Sequence, residues 1–232
     1  MIDINRHKLI LVQLLRDIYE NITLANHLGF KGDTALMLFY DLPRFSVDLD
    51  FNLTVKENGD LVYESLRKIV LKYGRIKDEA KKHFGSIIVL DCGENTRNLK
   101  IEVSNRMFED TYEIKDFLGI KMKVMIKPDM FAHKLCALLD RRVIANRDIF
   151  DCYYFLESRT PINKNIVETR MSTDILNYFD QCVSRIEKVP QNRILSGIGD
   201  LVDEDIKHFV RNKLKPDTIS LLKLFRQYPV FS

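Results

Sequence analysis

The sequence contains no apolar run long enough to cross a membrane. A spanning helix needs roughly 20 consecutive apolar residues, and charged side chains interrupt every long apolar run in this chain of 232 residues. The first eight residues carry acids and bases where a secretory signal would have an apolar core. We therefore expect a protein without membrane spans that stays in the cytoplasm.

Cysteine is scarce, and the four cysteines are widely spaced. They are Cys92, Cys136, Cys152 and Cys182. A structural zinc site or a disulfide framework needs closely spaced cysteines or histidines, and the chain has no Cys-x-x-Cys pair. We expect four reduced thiols that are buried or without a role.

A strong net charge is also lacking, although two segments are locally basic. The formal net charge of +3 does not by itself indicate nucleic-acid binding. Residues 121–147 hold seven Lys or Arg and two acidic residues, and residues 67–82 have the same balance. Either segment could contact an RNA backbone through charge or form a solvated surface. Neither is interleaved with aromatic residues placed for stacking on bases, so the pattern does not support reading of RNA sequence.

The periodicity of apolar residues changes along the chain. Strict alternation predicts a strand at residues 46–53, and residues 86–90, 99–104 and 121–126 are three further strand candidates. Helical spacing predicts helices at residues 7–28, 34–40, 61–73, 128–142, 172–187, 203–213 and 217–227, and another beginning near residue 146. The prediction is an α+β protein with a mixed sheet flanked by helices over residues 1–126. A helical domain follows over residues 127–232.

Two carboxylates, Asp48 and Asp50, occur two positions apart in the first alternating segment. Side chains at such positions in a strand point to the same face, and Asp is depleted in strands. Like charges held together repel unless a cation lies between them, and Mg²⁺ prefers one or two carboxylates completed by waters and phosphates. The pattern predicts a metal site, and the alternative is a solvent-facing pair on an amphipathic strand.

Glu102 lies in another alternating segment, residues 99–104, and points away from its apolar residues. On a neighbouring strand it would supply a third carboxylate for one or two metal ions. Otherwise it is a surface residue.

Two longer motifs resemble a known family. The run Phe30-Lys-Gly-Asp-Thr-Ala-Leu36, followed by Arg44-Phe-Ser-Val-Asp-Leu-Asp-Phe51, resembles the first motif of AbiEii-type nucleotidyltransferases. These proteins are the toxin halves of type IV toxin–antitoxin and phage-abortive systems, within the DNA polymerase β-like superfamily. The run Ala132-His-Lys-Leu-Cys-Ala-Leu138 and then Arg147-Asp-Ile-Phe-Asp151 resembles the second signature of the family. Together the resemblance covers about residues 25–157.

The resemblance implies a reaction and roles for particular residues. An NMP would move from an NTP to an acceptor, with RNA, and tRNA in particular, as the expected acceptor, and a cognate antitoxin protein is a possible partner. The residues implied are Asp48, Asp50 and Glu102 as ligands for two Mg²⁺ ions and, with Asp148, as catalytic residues, and Gly32, Ser46, Lys134 and Arg44 for the nucleotide.

Several of these roles have structural alternatives. Glu102 would also help to deprotonate the attacking hydroxyl, and Lys134 would contact the β- and γ-phosphates. Arg44 is either a phosphate contact or a partner for a carboxylate. Asp148 and Asp151 share a helix face, and Arg147 can pair with Asp151 at i, i+4. These charges could instead form an ion-pair cluster that holds two helices together.

One position departs from the family pattern. Asp33 stands where the family usually has a second glycine, in the loop that approaches the nucleotide phosphates. A carboxylate there would repel a triphosphate unless a metal or a lysine reaches it. Two alternatives therefore stand beside RNA modification: transfer to a small molecule or a protein, and a degenerate, non-catalytic module that binds a partner.

Overall fold

The computed structural model describes residues 4–93 and 97–232, and the chain divides into two units. The first comprises the residues up to 41 and residues 45–125, and the second comprises residues 42–44 and 126–232. The first unit combines helices with a mixed sheet and the second is helical, so the predicted α+β class is confirmed. Whether each unit folds as an independent domain stays a prediction.

The first unit contains four helices and seven strands among its described residues. Their bounds are α1 Ile4–Glu20, α2 Ile22–His27, β1 Leu28–Lys31, α3 Gly32–Phe39, β2 Leu49–Leu53, α4 Gly59–Val70, β3 Arg75–Lys82, β4 Gly85–Asp91, β5 Leu99–Ser104, β6 Tyr112–Phe117 and β7 Ile120–Met125. The strand order is β3-β4-β5-β2-β1-β7-β6. β2 runs parallel to β5, β1 runs parallel to β7, and the other neighbours are antiparallel.

The centre of this sheet is apolar on the face that packs into the core. Leu49 and Phe51 of β2 are fully buried, and the ring of Phe51 lies 5.3 Å from that of Phe30 on β1. Because side chains alternate along a strand, burial of Leu49 and Phe51 turns Asp50 to the opposite face. The position of Asp50 is thus a consequence of how β2 packs.

Three strands, β1, β3 and β6, were not predicted from the sequence. Each lacks a clear alternation of apolar and polar residues for a physical reason. β1 has only four residues, too few to show a period, and Asn21 caps α2 by accepting from the backbone N–H of Leu24, which divides the predicted helix 7–28. β3 and β6 are the two edges of the sheet and are rich in charged residues. Charged edges discourage pairing with other chains but hide the apolar alternation.

Four of the seven cations in the basic segment 67–82 pair with acids of the first unit. Its cationic atoms lie within 3.2 Å of carboxylates in four ion pairs: Arg67–Glu79, Lys72–Asp17, Arg75–Asp91 and Lys81–Asp60. These pairs are largely exposed, so each contributes little to stability. They favour the interpretation of this segment as a solvated surface.

The second unit contains six helices among its described residues. Their bounds are α5 Lys127–Asp140, α6 Asn146–Glu157, α7 Lys164–Met171, α8 Ile175–Glu187, α9 Glu204–Asn212 and α10 Leu214–Gln227. Phe131 and Phe155 stack in its core at 4.8 Å between ring centroids. The hydroxyl of Tyr178 donates to the carbonyl oxygens of Leu135 and Cys136, which satisfies a buried polar group.

The cysteines agree with what the sequence predicts, and the lengths of the helices concern the membrane prediction. All four cysteines are free and buried. No helix in residues 4–93 and 97–232 is both long and apolar enough to span a membrane.

Candidate active site

Adjacent strands of the first unit bring three predicted carboxylates together. Asp50 on β2 is in register with Glu102 on β5, and Asp48 immediately precedes β2. Lys100, also on β5, links them, with Nζ 3.0 Å from Glu102 Oε2 and 4.0 Å from Asp48 Oδ2. The backbone N–H of Lys100 also donates to Asp48 Oδ1. We call Asp48, Asp50 and Glu102 the acidic cluster.

Gly32 packs its backbone directly against this cluster. It begins α3 at a φ of +78°, and a Cβ at this position would lie 2.7 Å from Asp50 Oδ2. That separation is shorter than real Cβ contacts, and the φ is one that side chains rarely adopt. Glycine is therefore required here both by the turn from β1 into α3 and by the carboxylate.

Thr34 fixes the segment that leads into β2. This buried side chain hydrogen-bonds Ser46 Oγ at 2.8 Å and also donates to the carbonyl oxygen of Asp48. Ser46 is only 5% exposed, so its hydroxyl is part of the support beneath Asp48. Sequence reasoning gave Thr34 no role. The available signal was its place in the Gly-Asp-Thr-Ala run.

Negative charge exceeds positive charge around Asp50. Burial raises the pKa of Asp50 to about 6, the negative charges of Asp33, Glu102 and Asp48 add to the increase, and Lys100 opposes it. Burial alone would lower the pKa of Lys100, but Asp50 and Glu102 outweigh it and raise that pKa. A second cation near Asp50 would relieve this repulsion.

The donor set fits a hard divalent cation in part. Mg²⁺ is held by one or two carboxylates, with waters and phosphates completing its six ligands, and Asp48 and Asp50 supply that number. Within the described part of the chain, no three His, Cys, Asp or Glu side chains are arranged to hold an ion. Glu102 is engaged by the ammonium group of Lys100, so a third carboxylate ligand would require Lys100 to move.

In the second unit, three predicted site residues, Arg44, Lys134 and Asp148, belong to a buried ion-pair network with Asp151. The carboxylate of Asp151 on α6 accepts hydrogen bonds from Nε and Nη2 of Arg44, both at 2.6 Å. It also forms an ion pair with Nζ of Lys134 at 2.6 Å. Asp148, one turn earlier, lies 3.8 Å from Lys134 Nζ and 2.9 Å from Nε of Arg141. Both carboxylates are at most 1% exposed, so they are charge-compensated in a dry environment.

Comparison with known proteins decides the family. A model described as "Nucleotidyl transferase AbiEii toxin, Type IV TA system" matches residues 13–218. The chain belongs to this AbiEii family. It is therefore a nucleotidyltransferase, as predicted, and the family supports a toxin role with an NTP substrate and an antitoxin partner. Comparison with curated protein sequences gives no match.

Two solved structures share the fold of this AbiEii protein. A candidate nucleotidyltransferase from H. pylori aligns with a TM-score of 0.62 and 18% identity, covering 96% of this chain and 94% of its own. JHP933 from Helicobacter pylori also aligns with a TM-score of 0.62, at 17% identity, covering 97% of this chain and 92% of its own. At this identity the likeness concerns the fold alone.

Arg147 and Arg44 were both considered as partners of a carboxylate, and of these two only Arg44 contacts Asp151. The predicted pair between Arg147 and Asp151 is wrong, because Arg44 and Lys134 occupy both oxygens of Asp151 and Arg147 Nε has no hydrogen-bond partner among the described residues. The bidentate contact of Arg44 corresponds to the alternative in which it is a partner for a carboxylate. A phosphate contact by Arg44 would require that buried pair to open.

Proposed function

We propose that this AbiEii protein transfers an NMP from an NTP to an RNA acceptor, and to tRNA in particular, in a Mg²⁺-dependent reaction at the acidic cluster. One observation carries the proposal. Asp50 lies on a central strand, beside Glu102 and against the backbone of Gly32, with its pKa raised to about 6 chiefly by burial. This is a carboxylate whose charged form is stabilised by a bound cation, in a family of nucleotidyltransferases.

The residues of the first unit would act on both partners of the reaction. Asp48 and Asp50 would hold Mg²⁺, and the ion would supply neutralisation of the triphosphate charge and favour ionisation of the attacking hydroxyl. Glu102, once Lys100 releases it, would accept the proton of that hydroxyl. The hydroxyl oxygen forms a bond to the α-phosphorus while the bond to the bridging oxygen breaks, and pyrophosphate leaves.

The absence of a side chain at Gly32 would let phosphate oxygens approach the backbone beside Asp50. Asp33 adds a negative charge to the same place and raises the pKa of Asp50, so a triphosphate would bind only together with cations. Ser46 is proposed to reach a phosphate oxygen, which would require exchange of its hydrogen bond with Thr34. We expect tight coupling between nucleotide and Mg²⁺ binding.

Lys134, Arg44 and Asp148 are proposed to contribute from the second unit. The proposal for them rests on the family signature, since all three are engaged in the buried ion-pair network. Lys134 would shift from Asp151 to the β- and γ-phosphates, a change suited to a flexible side chain carrying a compact charge. Loss of NTP affinity in Lys134→Ala protein that is still folded by circular dichroism would support this role.

Incorporation of labelled nucleotide into RNA tests the reaction. Purified protein is incubated with total RNA, Mg²⁺ and each α-labelled NTP in turn, with Asp48→Asn beside wild type and the exposed Asp205→Asn as the matched control. We expect label in tRNA-sized RNA from wild type and the control, and none from Asp48→Asn. Absence of label in RNA with every NTP would contradict the RNA acceptor.

The same samples separate the alternatives. Label in protein or in a small molecule, lost in Asp48→Asn, would retain the chemistry and change the acceptor. Isothermal titration with each NTP and Mg²⁺ addresses the position of Asp33. No binding at roughly millimolar nucleotide, where association free energies are only about 4 kcal/mol, would favour a non-catalytic partner-binding module.

A further inference from the structure

The second unit contains a cavity of about 590 Å³ that is lined by cations. Five basic side chains line it, and the lining includes no acidic residue. They are Arg142, Arg147, Arg185, Lys188 and Arg193. None of the five forms an ion pair within residues 4–93 and 97–232. In the basic segment 67–82, by contrast, four of the seven cations are paired with acids.

The walls of this basic cavity are held together by hydrogen bonds. Asn146, the first residue of α6, donates from Nδ2 to the carbonyl oxygens of Arg193 at 2.7 Å and Ser196 at 3.2 Å. Arg185, in the last turn of α8, donates from Nη2 to the carbonyl oxygens of Arg141 and Arg142. The loop before α6 and the segment after α8 are thus tied to each other, which gives the cavity a defined form.

Two further features of the cavity favour an anion. The N-terminus of α6 contributes Ala145, Asn146 and Arg147 to the lining, and Ala145 provides no side-chain cap for the first backbone N–H groups. Free N–H groups and the positive end of a helix dipole attract negative charge. Arg147 Nε is buried without a hydrogen-bond partner among the described residues, so a donor of the cavity lining remains unused.

Structural roles account for only part of this cluster. Arg185 lies in the last turn of α8 and Lys188 caps that helix, where cations interact favourably with the dipole. No such role applies to Arg142 or Arg147, and Arg193 ends a 3-10 helix of only three residues. Five like charges around one concavity repel one another, and an anion with several negative charges would remove the repulsion. The lining contains no aromatic residue on which a base could stack, so phosphate groups are the fitting chemistry.

We propose that the basic cavity is a phosphate-binding site that holds adjacent phosphate groups of the RNA acceptor strand. The identity of the ligand as acceptor rests on the proposed function, whereas the phosphate chemistry rests on the cavity itself. A free nucleotide polyphosphate would present the same groups, and the test distinguishes the two sources. Contacts of this kind provide affinity that depends on salt and not on base sequence.

The test uses two charge-removing variants of exposed residues, Lys188→Gln and Arg193→Gln, with the exposed Arg211→Gln as a control of the same unit. Binding of a fluorescein-labelled RNA is measured by anisotropy between about 50 and 200 mM salt. We expect each cavity variant to weaken binding about 5- to 10-fold at low salt and to reduce the slope of log Kd against log salt by about 1. Arg211→Gln should match wild type.

Thermal unfolding with and without inorganic triphosphate is the second measurement. Triphosphate should raise the midpoint of wild type and the control and have a smaller effect on both cavity variants. Without anion, Arg193→Gln should unfold at or above the wild-type midpoint, because removal of a charge relieves repulsion. Lys188→Gln also loses its interaction with the α8 dipole, so Arg193→Gln decides this point. A lower midpoint of Arg193→Gln without anion would indicate a structural role for that side chain and contradict the proposal.

The remaining outcomes separate the two proposals. Loss of the triphosphate effect with unchanged RNA binding would assign the cavity to a free polyphosphate and overturn the acceptor role. Unchanged binding of both probes would overturn the site altogether. In either case, label transfer to RNA that depends on Asp48 would still support the proposed reaction. Conversely, binding of RNA and triphosphate at the cavity without label transfer from any NTP would contradict only the proposed reaction.

Discussion

Gly32 and Asp50 are in such close contact that the carboxylate excludes any side chain at position 32. A Cβ there would lie 2.7 Å from Asp50 Oδ2. Gly32 also has a φ of +78°, so two separate constraints act on one residue. The contact couples the β1–α3 turn to the position of the proposed metal ligand, and a change in either should be detected in the other.

Gly32→Ala should therefore lower both stability and Mg²⁺-dependent activity. The backbone conformation alone costs about 1 to 2 kcal/mol with a Cβ, and the overlap with Asp50 adds to that cost. Gly119→Ala is the matched control, because Gly119 has a φ of +79° and nothing within 4 Å of its Cβ position. Urea unfolding and label transfer are measured on both. Equal destabilisation, with activity retained in Gly32→Ala, would show that the contact with Asp50 has no functional effect.

Asp50→Asn should stabilise the metal-free protein while abolishing activity. The pKa of Asp50 is raised from 3.8 to about 6, first by burial and then by repulsion from Asp33. The folded state therefore holds the Asp50 proton more tightly than the unfolded state does. The charged form destabilises the fold above about pH 6, and this effect disappears below pH 3.8.

The gain in unfolding free energy should be on the order of 1 to 3 kcal/mol at pH 7.5, at about 1.4 kcal/mol for each pKa unit. It should shrink as the pH falls from 6 towards 4, because wild-type Asp50 then becomes neutral. Urea unfolding with chelator present at pH 7.5 and pH 5 measures it, with Asp205→Asn as the exposed control. Destabilisation of Asp50→Asn at pH 7.5 would show that the charged form is favoured by the fold.

Local patterns predicted the acidic cluster, and the reasons are visible in the sheet. Leu99–Ser104 alternates over its whole length and forms β5 with the predicted bounds, because one face is buried against the core. The same alternation in β2 places Asp50 beside Glu102. The predicted strand began at residue 46, but pairing begins at Leu49, so Ser46 is held by Thr34 and not by a strand neighbour.

Local sequence patterns do not predict contacts between segments that are far apart in the chain. Arg44 and Asp151 are separated by 107 positions, and only the folded chain brings them together. The basic cavity likewise combines residues 142–147 with residues 185–197. The alternation of residues 99–104 places Lys100 on the same face as Glu102, but periodicity does not specify which carboxylates its long side chain contacts.

Lys100→Gln should tighten Mg²⁺ binding. The ammonium group lies 3.0 Å from Glu102 Oε2 and 4.0 Å from Asp48 Oδ2, so an incoming cation must displace it. Partial exposure screens this competition, and we expect a gain of about 3- to 10-fold in affinity, or roughly 1 kcal/mol. Isothermal titration with Mg²⁺ measures it.

Lys115→Gln is the control for that measurement, because Lys115 pairs with Glu113 at 3.1 Å elsewhere in the same sheet. Its Mg²⁺ affinity should equal that of wild type. Weaker Mg²⁺ binding in Lys100→Gln would mean that the ammonium group supports the metal site and does not compete with the ion.

Arg44→Gln distinguishes the two roles considered for Arg44. If Arg44 is a structural partner of Asp151, the substitution removes a bidentate pair at 2.6 Å and leaves the buried Asp151 paired with Lys134 alone. Breaking a buried pair on one side costs about 3 to 5 kcal/mol. We expect a loss of that size in the free energy of unfolding, measured by urea denaturation.

Arg226→Gln is the matched control, since Arg226 pairs with Asp180 at a similar distance, 2.7 Å, but both side chains are about half exposed. Such a pair contributes about 1 kcal/mol or less. Both variants break an Arg–Asp pair, and the pairs differ in burial and in the second hydrogen bond that Arg44 makes. Wild-type stability in Arg44→Gln together with weaker NTP binding would reject the structural role and assign Arg44 to the phosphates.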